Sequence, residues 1–368
     1  MNKLLVGTAA IALFASPALA APIGVTVGGY YNSMFYNVDS DSAVDYKSSS
    51  LQEDAEIIFK GKGVSNSGLE YGFQVQLEAA TKDDQIDEHY IYIKGDFGKV
   101  EIGAENSSAF KSQVTAPRFL GWKTYDNNFE TWSKVAKYEK PLHDNYSADA
   151  NKVNYYSPRV NGVQFVYSIT PSNQNSGGTG VGASSAPTNL LVESAANLVS
   201  DQGPVEVKVY DDVIAMGLNY NGTLGGMKVA ASYTTEKGDY SKYAGTVDGE
   251  HEEKAYGLSL SSGDFTIGGH KFESDEATAT NPGNDWDITV VGVSYKLSSA
   301  TTIGFSLQQQ EDDKTGATGN DDTDITVIGG STKIGSGATF TYSYEMVESD
   351  NPSKGDTTFI GAGLLLKF

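Results

Sequence analysis

The chain has 368 residues, 47 acidic against 26 Lys plus Arg for a net charge of −21, and no cysteine. That balance excludes a nucleic-acid-binding protein, whose phosphate partner demands a basic face, and without cysteines there is no disulfide framework, so stability must come from backbone pairing and burial. With 41 Gly, 22 Tyr and 15 Phe the chain is too aromatic for an acidic disordered protein and suits strands joined by turns.

The first element is an export signal: Lys3 supplies the positive start, Leu4 to Ala15 the apolar stretch, and Ala18-Leu19-Ala20 the small-residue cleavage site, so residues 1–20 are set aside and the mature chain is expected to start at Ala21. No later stretch approaches the roughly 18 uninterrupted apolar residues that a spanning helix requires. Membrane residence must therefore be as strands.

From Ile23 onward the signal is a period of two. Leu69, Tyr71, Phe73, Val75 and Leu77 alternate with Glu70, Gly72, Gln74, Gln76 and Glu78, and the pattern returns at Val163 to Thr170, Thr302 to Gln308 and Thr339 to Met346. Tight connections rich in Gly, Asn, Ser or Pro are predicted at Gly61 to Gly68, Gly95 to Gly98, Pro158 to Gly162, Asn221 to Gly226, Ser261 to Asp264, Leu297 to Ala300 and Lys333 to Gly337. Between them lie long polar connections: Asn37 to Leu51, 106–150, 172–210, Glu236 to Glu253, Glu273 to Asp285, Glu311 to Thr323 and Glu348 to Asp356; only the one near Thr81 to Gln85 is brief. Gly177 to Ser185 is a low-complexity stretch, with a short helix expected at Asn189 to Val199. In the last strand Ile360, Ala362, Leu364, Leu366 and Phe368 share one face, and Gly361, Gly363 and Lys367 the other.

Seven short turns alternating with long connections are what sixteen antiparallel strands need. A soluble β-sandwich has no reason to sort its loops that way, and sixteen strands enclose a water-filled lumen where eight would be filled by side chains. The fold expected over residues 21–368 is an all-β, sixteen-stranded transmembrane barrel with a polar, small-residue interior.

Four stretches carry a family resemblance: Ile57-Ile58-Phe59-Lys60-Gly61, Leu69 to Glu78, Lys94 to Glu105, and the terminal Phe368. In that order and spacing they resemble the general bacterial porins, the trimeric sixteen-stranded channels of Gram-negative outer membranes. The resemblance implies short periplasmic turns, long extracellular loops, a homotrimer, Phe368 as the assembly signal, and a third loop, 106–150, folded inward to narrow the pore. On that loop Asp126, Glu130, Glu139, Asp144, Lys134 and Lys137 become candidate constriction residues. On the wall, alternation puts Glu56, Lys60, Glu70, Glu78 and Glu101 toward water, and Asp87 joins them through the resemblance. Porins of this kind often carry basic residues at the positions matching Glu56 and Asp87; this chain has only two arginines, Arg118 and Arg159, so the usual positive wall cluster is depleted or turned acidic.

Acid clusters at Asp39-Ser40-Asp41, Glu311-Asp312-Asp313 and Asp321 to Asp324 could collect Ca2+ weakly at the outer rim, although solvated loops are the plainer reading. The Asn320, Asp322, Asp324 run has Ile325 where an EF-hand turn needs Gly. His89, His143, His251 and His270 lack ligand spacing, so no metal site and no cofactor is expected, and no nucleotide loop or nucleophile motif suggests an enzyme. The function expected is passive diffusion of small hydrophilic solutes and ions, cation-selective, across the outer membrane, in contact with its lipid and lipopolysaccharide. A substrate-specific channel, or an exported adhesin that forms no pore, is the competing reading.

Overall fold

The structure is a computed structural model and describes residues 23–41, 48–80, 86–121, 141–143, 146–173, 208–242, 248–278, 284–314, 322–350 and 355–368. Its strands are β1 (Gly24–Ser40), β2 (Ser49–Val64), β3 (Glu70–Glu78), β4 (His89–Gly95), β5 (Gly98–Ala104), β6 (Asn151–Tyr156), β7 (Val163–Ser172), β8 (Lys208–Leu224), β9 (Met227–Lys242), β10 (Asp248–Ser262), β11 (Phe265–Thr278), β12 (Asn284–Lys296), β13 (Thr301–Lys314), β14 (Thr323–Gly335), β15 (Ala338–Ser349) and β16 (Thr357–Lys367). Each pairs antiparallel with its neighbours in sequence, and β1 closes on β16 from Tyr30↔Lys367 to Ser40↔Thr357. One short helix, α1 (Ser108–Ser112), lies between β5 and β6.

The tight connections lie at one end of the barrel. At β8–β9 the central residues Gly225 and Gly226 have φ of +58° and +85°, and at β6–β7 Asn161 and Gly162 have +49° and +87°. Two successive positive φ angles suit the right-handed twist of a hairpin, which is why Gly-Gly and Asn-Gly stand there. At β2–β3 the strand runs past the expected boundary at Gly61 as far as Val64, because Gly61 and Gly63 lie beneath the rings of Phe73 and Tyr71 on β3, where any Cβ would collide.

At the other end the strands overrun the expected loops. β9 reaches Lys242, β11 reaches Thr278 and β13 reaches Lys314, each through sequence that reads as polar loop. Beyond the membrane both faces of a strand are wet, so alternation fades while the backbone ladder continues. Exposed ion pairs hold these extensions together, Lys237 with Glu250 at 2.9 Å and Lys271 with Glu273 and Asp287 at 2.7 and 2.9 Å.

The outward face is an apolar belt that includes Val27, Phe35, Ile91, Ile102, Phe165, Leu218, Leu258, Ile267, Val291, Leu307, Ile328, Phe340, Ile360 and Leu364, all exposed. No helix among the described residues is long and apolar enough to cross a membrane, so the strands carry this belt. The interior departs from the expected polar lining. Met34, Tyr36, Ile325, Val327, Val347 and Phe359 form one buried apolar cluster with Phe119 and Leu120; Ala255, Phe272, Trp286, Ile288 and Val290 form another with Ala116. Both lie on inward-facing positions, and both are covered by the segment that follows β5.

Candidate pore constriction

That segment leaves β5 at Glu105 and travels around the inside of the wall. Ser107 caps α1, its Oγ accepting from the amide of Phe110 at 3.1 Å. The first turn is fixed to β7, where Ser108 N donates to Ser168 Oγ at 2.8 Å, and to β8, where Asn219 Nδ2 donates to the Ser112 carbonyl at 2.9 Å. Val114 N then donates to Ser232 Oγ on β9 at 2.7 Å, and Ala116 N to His270 Nδ1 on β11 at 3.0 Å. Finally Ser331 Oγ on β14 and Thr341 Oγ1 on β15 donate to the carbonyls of Phe119 and Leu120 at 2.9 and 2.6 Å. Fifteen residues from Ser107 to Gly121 thus cross from β7 to β15 inside the barrel.

Two inward glycines let the segment lie flat. A Cβ on Gly257 would come within 1.7 Å of the Val114 carbonyl oxygen, and one on Gly304 within 2.3 Å of the Phe119 ring.

The returning limb is also tied inside. His143 is fully enclosed, with Nδ1 2.9 Å from Glu253 Oε2 and Nε2 3.0 Å from Thr234 Oγ1. Burial, with a smaller contribution from nearby His251, holds its pKa down to about 3, so the ring is neutral at physiological pH. Tyr146 OH meets Ser274 Oγ at 2.9 Å and Ser147 N donates to Glu236 Oε1 at 3.1 Å. Lys152 on β6, 3% exposed, closes the loop at its base by donating to the carbonyls of Glu105, Ser147, Ala148 and Ala150.

Away from the anchored segment, the inward face of β2–β4 and of β1 at Tyr30 and Asn32 is polar and acidic. The register sets Tyr30, Glu56 and Glu78 side by side on three neighbouring strands. Tyr30 OH lies 2.6 Å from Glu56 and 3.2 Å from Asp54, and ligand oxygens of Asp54, Glu56 and Glu78 lie within 4.8 Å of one another. Nearer the short turns Lys62 pairs with Glu70 at 2.6 Å. Glu88, just before β4, accepts from the side-chain amides of Gln76 and Asn106. Burial, and then the carboxylates of Glu105, Asp149 and Asp87, push its pKa up to about 9.

The wall residues singled out from sequence thus divide into different surroundings. Glu56 and Glu78 share that acidic wall with Asp54, and Lys60 lies on the same inward face, opposite Thr26 and Gln74. Glu70 is tied to Lys62. Glu101 faces inward but is 1% exposed, enclosed by Lys99, Lys111 and Tyr156, so it offers no carboxylate to a passing ion. Asp87 is on no strand; its amide donates to the Gln76 carbonyl at 3.1 Å. Asp126, Glu130, Lys134, Lys137, Glu139 and Asp144, the signal site at Ala20 and Ala21, and the helix expected at Asn189 to Val199 lie outside the described residues. Phe368 ends the chain beside β1, its amide donating to the Gly29 carbonyl at 3.2 Å. Two basic residues of the loop expected to fold inward are described: Arg118 projects exposed between buried Pro117 and Phe119, and Lys111 lies 3.1 and 2.8 Å from Glu101 and Glu105.

A profile described as Gram-negative porin matches residues 7–352. The chain belongs to the Gram-negative porin family. Among solved structures this porin is similar to OmpT of Vibrio cholerae in its trimer form (13% identity, TM-score 0.63, covering 95% of this chain and 100% of the other) and to an anion-selective porin from Comamonas acidovorans (13%, 0.62, 94% and 100%). It is also similar to Salmonella typhi OmpF in complex with daunomycin (13%, 0.62, 94% and 97%). At such identities the likeness establishes the fold of the porin. No curated protein sequence matches it.

Proposed function

We propose that this porin, an outer-membrane channel, works by passive diffusion of small hydrophilic solutes and ions and passes cations more readily than anions. The observation that carries the reading is the inward cluster of Asp54, Glu56 and Glu78 on neighbouring strands. Carboxylates clustered at a low-dielectric wall focus a negative potential that favours cations. Arg118, exposed on the anchored segment, offsets part of it, whereas Lys111 is already paired with Glu101 and Glu105, so the preference is modest. The charged residues of 122–140, the export signal ending at Ala20, the part of Phe368 in assembly, and contacts with lipid and lipopolysaccharide belong to the same proposal, which needs no cofactor and no catalysis.

A homotrimer fits the uneven height of the wall. Strands β4, β5 and β6 have 7, 7 and 6 residues, fewer than the roughly 9–11 that a tilted strand needs to cross a bilayer. The outward face nearby carries Ser33, Glu53 and His89, which suits a second copy better than lipid tails. A substrate-specific channel is the second reading, favoured by the inward tyrosines Tyr30, Tyr90, Tyr92 and Tyr156 along the open wall.

The test is reconstitution into planar bilayers across a salt gradient. A cation-signed zero-current potential supports the proposal and an anion-signed one overturns the selectivity. Absence of steps from folded protein would overturn the channel itself, and saturable block of the current by one solute class would favour the specific channel.

A further inference from the structure

Six cationic side chains ring the short-turn mouth of the barrel. Lys94, Arg159, Lys228, Lys296, Lys333 and Lys367 each lie in a tight turn or within two residues of a strand end there, on β4, the β6–β7 turn, β9, β12, β14 and β16. Register points them inward: Lys94 opposite Glu70, Lys228 opposite Thr223, Lys296 opposite Thr302, Lys333 opposite Thr339 and Lys367 opposite Tyr30. The Arg159 guanidinium bonds only amide and carbonyl oxygens, of Gly162, Gln164 and Asn219. All six are exposed, and among the described residues none has a carboxylate within ion-pair range. Glu70, the acid that register points inward at this mouth, is held by Lys62, and the tight turns add two exposed carboxylates, Asp96 and Asp264, against the six cations. The other mouth has the opposite sign: Asp39, Asp211, Asp239, Asp287, Asp324 and Glu348 lie on the outer face of its rim near the long connections, and the inward acids are the Asp54, Glu56, Glu78 group between the two mouths.

A chain of net charge −21 therefore holds a positive ring at one end of its pore. Ring members two to four strands apart, at about 4.8 Å per strand, are separated by roughly 10–20 Å along the sheet. The screening length is about 10 Å at 0.1 M salt, about 30 Å at 0.01 M and about 3 Å at 1 M, so their fields merge into one zone in dilute salt and vanish in concentrated salt.

We propose that the barrel is a bipolar channel in which this cationic ring is an anion-admitting filter in series with a cation-admitting acidic zone. A voltage with the long-connection side positive drives cations in through the acidic mouth and anions in through the basic one, fills the middle with both, and raises conductance. The reverse voltage empties it. Charged solutes of either sign meet a barrier at one mouth; neutral and zwitterionic solutes meet none, and are the class the pore passes best in dilute medium. The inference rests on the channel reading and on the Asp54, Glu56, Glu78 zone admitting cations; the ring, which sits in a mouth, adds the asymmetry of the current–voltage curve.

Because the chain has no cysteine, a Ser48→Cys variant labelled by a membrane-impermeant thiol reagent fixes the orientation of channels in a planar bilayer. Expected in 0.02 M KCl is a current roughly twofold larger with the long-connection side positive, fading to equality at 1 M. The triple variant Lys228→Gln, Lys296→Gln, Lys333→Gln, with folding checked by heat-resistant barrel mobility, is expected to lose most of the asymmetry, and Lys→Glu at the same sites to lose all of it. Equal currents in dilute salt, asymmetry of the opposite sense, or full asymmetry in the triple variant would each overturn the proposal. Absence of any conductance would instead overturn the channel reading on which it stands.

Discussion

Replacing Phe119 with Ala tests whether the inward segment is held by its apolar pocket. Phe119 is 1% exposed and packs with Leu120 into the cluster made by Met34, Tyr36, Ile325, Val327, Val347 and Phe359. Truncating a buried Phe costs about 3–5 kcal/mol. What remains at this tip is the pair of hydrogen bonds from Ser331 and Thr341 to the carbonyls of Phe119 and Leu120, each worth about 1 kcal/mol net. A loss of about 3 kcal/mol raises the undocked population of the tip on the order of a hundredfold. The strand ladders are untouched, so the barrel should keep its unfolding temperature while the tip detaches intermittently. Single-channel recording should show a quiet wild-type current turning into one with frequent brief excursions, and limited proteolysis of the variant should cut near residue 121. A folded Phe119→Ala variant with wild-type current noise and wild-type protease resistance would refute the claim that this pocket holds the loop.

Three further changes probe the electrostatics and the loop base. Glu56→Lys reverses the sign of one member of the open acidic group and should move the zero-current potential toward anions, measured across a tenfold KCl gradient; an unchanged potential would place Glu56 outside the ion path. Glu88 has a folded pKa raised to about 9, so it keeps its proton in the barrel at neutral pH, and the stability it contributes is present below about 4.5 and lost as pH rises toward 9. Stability should fall with pH across that window by at most on the order of 1.4 kcal/mol per pH unit, read as a falling unfolding temperature, and Glu88→Gln should flatten the fall. Lys152→Met strips the donor from four loop carbonyls and should loosen both ends of the loop at once, read as faster proteolysis at 141–150 with little change in barrel content.

Period-two alternation was enough to fix the strand number, the side of the short turns and the outward face of Leu69 to Glu78, because each strand has oil on one side and water on the other. It misjudged strand ends, since Lys237, Glu250 and Lys271 are wet on both faces and still paired. It also read Glu101 as a lumenal carboxylate; facing inward was legible, but enclosure by Lys99 and Lys111 depends on where the loop runs, which no local pattern records.

A signal for that path was nevertheless present, in inward positions where alternation fails. Ile288 and Val290 face inward between the outward Thr289 and Val291, and Ile325 and Val327 do the same beside Ile328. An apolar side chain facing a water-filled lumen gains nothing, so such pairs imply a cover, at about 25 cal/mol for each Å² taken out of water. Both pairs lie on the half of the wall that Ala116 to Leu120 crosses, and the inward glycines Gly257 and Gly304 mark where the segment presses closest, with the Val114 backbone and the Phe119 ring respectively. The opposite half, β1 to β4 near Glu56 and Glu78, has Gln74, Gln76, Tyr90 and Tyr92 at its inward positions. In a barrel of this kind, inward strand residues therefore separate the covered wall from the open one, and the open wall is the place to look for groups that meet the solute.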